Sequence, residues 1–166
     1  ESYVAAPDGK EIIFDTNIGD INRRHLWRID MATETSAPLT SGDGIEMYPI
    51  YGGKSLYCYR STISTHKTLT KVEGNGKKFT SISHQHPDLK GALFLTPEAV
   101  TFKAADGLLI HGQLFIDRSV PQKRPGIVFM HGGPTRQMLL GFHYSDYYSN
   151  AYAFNQYLAR NGYAVV

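Results

Sequence analysis

Gly126-Ile127-Val128-Phe129-Met130, followed at once by His131-Gly132-Gly133-Pro134, is an apolar run that stops on a Gly-Gly-Pro turn. Its unbroken apolar character suits a strand covered on both faces. Beyond the turn, Tyr147, Ala151, Phe154 and Leu158 recur at helical spacing, with polar Asn150, Asn155 and Arg160 between them. Asn161-Gly162 ends that segment, and Tyr163-Ala164-Val165-Val166 reads as a further strand. Strand, loop, amphipathic helix and strand make a βαβ unit, whose two strands should run parallel. Just upstream, Val100 to Phe115 reads as a hairpin turning at Asp106-Gly107.

From the start of the chain to about Thr96 the grammar is different. Pro7-Asp8-Gly9-Lys10 is a tight-turn sequence, and Glu11 to Phe14, His25 to Asp30 and Ala37 to Thr40 read as short strands between turns. The pattern recurs at Pro49-Ile50-Tyr51-Gly52-Gly53-Lys54-Ser55-Leu56-Tyr57, with the two Gly-Lys pairs 44 residues apart. A period of about 40 to 45 residues is the spacing of propeller blades, four strands to a blade. Two unrelated hairpins in an antiparallel sandwich are the alternative. The expected fold class is therefore mixed: antiparallel β-propeller blades over residues 1–92, then the N-terminal portion of an α/β domain over residues 93–166. Two blades cannot close a ring, and the chain stops inside a strand pattern, so a piece of a longer protein is expected.

Composition excludes several functions. Among 166 residues, 17 basic and 15 acidic side chains leave a net charge of +2 with no basic cluster, which gives no electrostatic reason to expect nucleic acid as a partner. No stretch approaches the roughly 18 consecutive apolar residues of a spanning helix, so membrane insertion is not expected either. Cys58 is the only cysteine and cannot form an internal disulfide. It is expected to be a small buried hydrophobe, as Trp27 is expected in the core.

The chemistry concentrates in the loop after the apolar run. Acyl transfer places negative charge on a carbonyl oxygen, and backbone N–H donors aimed at that oxygen stabilise it. Glycines let the main chain approach a reacting atom with no Cβ in the way. Gly133 is the candidate donor, with His131, Gly132 and Pro134 shaping the loop; a turn with no catalytic task is the bland alternative. Tyr144, Tyr147 and Tyr148 are candidates to line a substrate groove, although half-buried tyrosines often simply pack. His84 and His86 have the spacing of a metal pair on an extended segment but no local third ligand, so no metal is expected.

Taken in order, these features resemble the prolyl oligopeptidase family of serine peptidases, in particular its acylaminoacyl-peptidase and dipeptidyl-peptidase-like members. The resemblance rests on Pro7-Asp8-Gly9-Lys10 with the later Leu26-Trp27 and Leu39-Thr40, on Val100-Thr101-Phe102 through Gly112-Gln113-Leu114, and on His131-Gly132-Gly133-Pro134 with Gly162-Tyr163-Ala164-Val165-Val166. It covers essentially the whole chain. It implies a propeller followed by an α/β-hydrolase domain, a peptide substrate lying between them, and hydrolysis through an acyl-enzyme with no cofactor. It also implies that Gly133 N–H serves the oxyanion. Some members carry a tyrosine where His131 stands, so here the main chain would have to act alone. No serine has Gly at both −2 and +2, so the nucleophile elbow has no match, and the triad Ser, Asp and His are expected outside this chain. The isolated chain is accordingly expected to be inactive. Self-association of the intact protein stays open, as does its compartment, cytoplasmic or bacterial periplasmic. Two other classes stay open: a non-catalytic TolB-like binding module, and an esterase with a similar oxyanion loop.

Overall fold

The computed structural model describes residues 2–83, 94–119, 123–133 and 136–166. The expected division at residues 92 and 93, the His84 and His86 pair and Pro134 lie outside the described residues. The first half forms two four-stranded antiparallel sheets, each in simple sequence order. One contains β1 (Tyr3–Ala5), β2 (Glu11–Thr16), β3 (His25–Asp30) and β4 (Ser36–Pro38). The other contains β5 (Ile45–Gly52), β6 (Ser55–Ser61), β7 (Thr68–Glu73) and β8 (Lys78–Ser81). The turn chemistry read from the sequence operates in both: Gly9 at φ 71 closes the β1–β2 hairpin and Gly53 at φ 61 the β5–β6 hairpin, backbone angles that an L side chain rarely adopts.

The expectation of a propeller leading into an α/β-hydrolase domain is overturned. Among the described residues the chain is mostly small antiparallel sheets, with no closed propeller or barrel and a single helix. The two sheets meet where β5 packs on β1, β2 and β3. Ile13, Leu26, Cys58 and Val72 form their shared core, joined at its margin by Leu39, Tyr51 and Phe79. Trp27, expected in that core, is only half-buried, while its neighbour Leu26 is fully enclosed. Cys58 is buried, and burial pushes its thiol up to about 12.

In the second half β9 (Glu98–Lys103) pairs antiparallel with β10 (Leu109–Leu114), turning at Gly107 with φ 88. Then come β11 (Gly126–Ile127), α1 (Asp146–Arg160) and β12 (Ala164–Val165), with β11 and β12 joined in a two-residue parallel ladder. A single helix can cover only one face of such a ladder. Ile127 and Phe129 pack on the core of Phe115, Phe142, Tyr152, Ala159 and Val165, whereas Val128 and Met130 are 70% and 83% exposed. The two-sided coverage expected for this run is therefore absent. The helix is also turned relative to the sequence reading: Tyr147 and Phe154 point outward, and Tyr148, Ser149, Tyr152, Asn155, Gln156 and Ala159 are buried. Of the polar residues on this inward strip, Gln156 is held by the chain beside it. The Gln156 carboxamide donates to Leu95 O and accepts from Leu95 N–H, each at 2.8 Å.

Residues 136–145 join the halves. Leu139 packs with Ile45 and Met47 in a third cluster, and Leu140 N–H donates to Asn22 O at 2.9 Å. Phe142 N–H donates to Thr62 O at 3.0 Å and Tyr152 Oη to Ile63 O at 2.8 Å. Gly141 sits in a close approach, since a Cβ there would stand 3.0 Å from the Thr62 carbonyl and from Ile45 Cδ1 and its neighbours would have to shift by a few tenths of an ångström.

Candidate functional site

The strand that carries β11 runs on to Phe129, whose N–H donates to Val166 O at 2.7 Å, and then releases His131, Gly132 and Gly133 into solvent. Gly133 has φ 80, so the chain reverses there in a conformation natural to glycine. Its carbonyl accepts the Arg136 N–H at 3.2 Å. The two glycine amides differ in what they face. Gly132 N–H donates to Tyr148 Oη at 3.0 Å, and the same hydroxyl donates to Gly132 O at 2.8 Å. Among the described residues Gly133 N–H has no acceptor. Tyr148 thus holds the Gly132–Gly133 peptide by its carbonyl, and the N–H of that trans peptide lies on the side away from the tyrosine hydroxyl.

Tyr148 reaches the loop because α1 buries it, at 5% exposure, against His143, whose ring lies 5.3 Å away edge-on. The three tyrosines read as groove candidates part company here. Tyr148 is the loop's clamp, Tyr144 is half-buried and stacks on His143 at 4.0 Å, and Tyr147 is 71% exposed with its ring 5.0 Å from that of Tyr148. Arg136, which the sequence reading passed over, lies with its guanidinium 5.5 Å from the centre of the Tyr148 ring. Its place two residues beyond His131-Gly132-Gly133-Pro134 was the only sequence signal for it.

His143, in the aromatic cluster with Phe142 and Tyr144, is buried at 1% exposure. Its Nε2–H donates to Gln137 O at 3.1 Å and its Nδ1 accepts the Ser145 N–H at 2.9 Å, which specifies the neutral ring. Burial is the main cause that pushes it down to about 4, and the nearby Arg136 and Arg24 charges act in the same direction. With both ring nitrogens engaged, the side chain braces the 137–145 loop. The start of α1 is tied to the sheets by Lys67, whose Nζ donates to Tyr144 O at 3.0 Å and stands 2.7 Å from Asp146. That ammonium holds the Asp146 carboxyl below the usual carboxylate range.

No group of three or more His, Cys, Asp or Glu side chains able to hold a metal occurs among the described residues. Among the described residues, no helix is long and apolar enough to cross a membrane.

No protein-family model matches the chain, and no curated protein matches it. Among solved structures it is similar to AtxE2 isopeptidase in its apo form, with a TM-score of 0.71 and 13% sequence identity. The similarity covers 99% of this chain and 24% of the isopeptidase chain. The chain thus spans about a quarter of that structure's length, and at this identity the likeness is one of fold. The arrangement of small sheets and one helix is one that a peptidase also uses.

Proposed function

We propose that this chain is part of a serine-type peptidase that hydrolyses short peptides through an acyl-enzyme. In this reading the Gly133 N–H serves as an oxyanion-hole donor, and His131, Gly132 and Pro134 shape its loop. The single observation that carries it is the contrast within the loop: Tyr148 holds both polar groups of Gly132, while the adjacent, exposed Gly133 has no acceptor for its N–H among the described residues. Similarity of fold to an isopeptidase supports the same reaction class.

The chemistry follows from that geometry. A serine oxygen attacks the scissile carbonyl, the oxyanion is met by the Gly133 N–H, the C–N bond breaks as the amine takes up a proton, and water releases the acyl group. The serine, the histidine that moves the proton and the aspartate that orients it would come from polypeptide outside this chain. Tyr144 and Tyr147 would border the peptide, and the division at residues 92 and 93 would separate the sheet-rich unit from the one bearing the loop.

The test is to express the complete gene and compare it with the 166-residue chain, using a fluorophosphonate label, a peptidyl anilide and a simple acyl ester. The reading expects labelling and anilide hydrolysis by the longer protein and neither by the chain alone. Absence of labelling in the longer protein, or turnover by the chain itself, would overturn it. Hydrolysis of the ester alone would make the protein an esterase.

A further inference from the structure

A cavity of about 160 Å³ lies beside the Gly132–Gly133 loop. Phe115, Phe129, Met138 and Val166 supply apolar wall. An apolar cavity of roughly 150 Å³ is large enough for a benzene ring. Of its polar lining Arg136 carries a formal charge, and among the described residues no Asp or Glu lines it.

Two of the polar groups are unspent. Asn155 sits on the inward strip of α1 at 4% exposure, and among the described residues its carboxamide makes no hydrogen bond, although it is not fully shut off from the surface. This amide borders the cavity and is free to take a partner there. Among the described residues the Arg136 guanidinium forms no ion pair. It is nevertheless positioned, lying against Tyr148 with Nε 3.4 Å from where a Cβ on Gly133 would stand.

We propose that this cavity binds the carboxylate-bearing terminal residue of a peptide. The carboxylate is received by Arg136 and the Asn155 amide, and the residue's apolar side chain rests against Phe115, Phe129 and Met138. A guanidinium and an amide are donors suited to a carboxylate, and a charge-assisted pair in a partly enclosed site is stronger than a neutral one. A C-terminal residue is the part of a peptide that joins a small apolar group to an anion. This inference rests on the peptide reading above and names the end of the substrate that the loop region selects.

The experiment uses N-acetyl-L-leucine and N-acetyl-L-leucinamide, which share an apolar part and differ in charge, with saturation-transfer NMR on the protein from the complete gene. The expected result is binding of the acid at least about tenfold tighter than the amide, the difference that one charge-assisted contact supplies. Arg136→Gln should bring the acid down to the level of the amide, and Arg136→Lys should restore part of the preference. Arg136 is exposed, so these variants should keep the fold, which circular dichroism verifies. Equal binding of acid and amide, no binding of either, or an Arg136→Gln protein that keeps the preference would each overturn the proposal. Acid preference in a protein with no peptidase activity would keep this site and discard the peptidase reading. Peptidase activity without acid preference would do the reverse.

Discussion

The buried carboxylate of Asp15, on β2, accepts the backbone N–H of Tyr48, on β5, at 3.1 Å, and Tyr48 has φ 55. A bulky residue in the left-handed region is an outlier that its surroundings must maintain. It falls where the β5–β6 register shifts between Met47 and Ile50, and the bulge turns its ring edge-on to Tyr59 and Tyr144, 6.4 and 6.0 Å away. The same Asp15 oxygen takes the Ser2 N–H and hydroxyl, while the other oxygen is buried with no partner among the described residues. Asp15→Ala removes an acceptor from several donors and should cost about 1–3 kcal/mol in urea unfolding. Asp15→Asn keeps one oxygen for those donors and should cost less. Equal losses would mean that the charge, and not the acceptor, holds the bulge.

Gly141 is a point of contact between the two halves. With 3.0 Å to the Thr62 carbonyl, Gly141→Ala forces backbone apart and should cost about 1–3 kcal/mol. Gly126→Ala meets nothing within 4 Å and should stay within about 0.5 kcal/mol. Chemical denaturation of both variants checks the contrast, and a neutral Gly141→Ala would remove the close approach from the account.

Tyr148→Phe deletes only the hydroxyl that holds both polar groups of Gly132. The expected loss is about 1 kcal/mol, with faster amide exchange at Gly132 than in the parent. Gly133→Ala should cost about 1–2 kcal/mol because its φ of 80 disfavours any Cβ. Unchanged exchange in Tyr148→Phe would show the loop to be ordered by other contacts.

His143 ties stability to pH. Its folded value, about 4, lies below the ordinary 6.5, so the unfolded chain takes up the proton first. The His143 contribution is therefore complete above pH 6.5 and declines as pH falls toward 4, by up to about 1.4 kcal/mol per pH unit. Urea midpoints at neutral and mildly acidic pH should separate in the parent and separate less in His143→Gln. An NMR titration placing the His143 midpoint near 6.5 in the folded protein would contradict this.

Much of the local structure was legible before the tertiary contacts were known. Turns at Gly9, Gly53 and Gly107, the strand His25–Asp30 and a helix ending at Arg160 follow from residue type and spacing, because a positive φ or an amphipathic period is a local demand. The helix face was not legible. Apolar spacing favoured Tyr147 and Phe154, yet the buried strip includes Asn155 and Gln156, because Leu95 and the cavity offer polar groups a place that no local pattern records.

The sequence by itself determined where the chain turns, which segments extend and which coil, and that a glycine pair follows an apolar run. Only the tertiary structure decided that the two sheets meet through β5 and share one core, and that Val128 and Met130 remain exposed. It also decided that Tyr148 commits Gly132 while Gly133 stays open, and that Arg136 and Asn155 meet at one cavity. Backbone conformation is set over a few residues, whereas burial and hydrogen-bond partnership depend on which distant segments arrive, and those are chosen by packing.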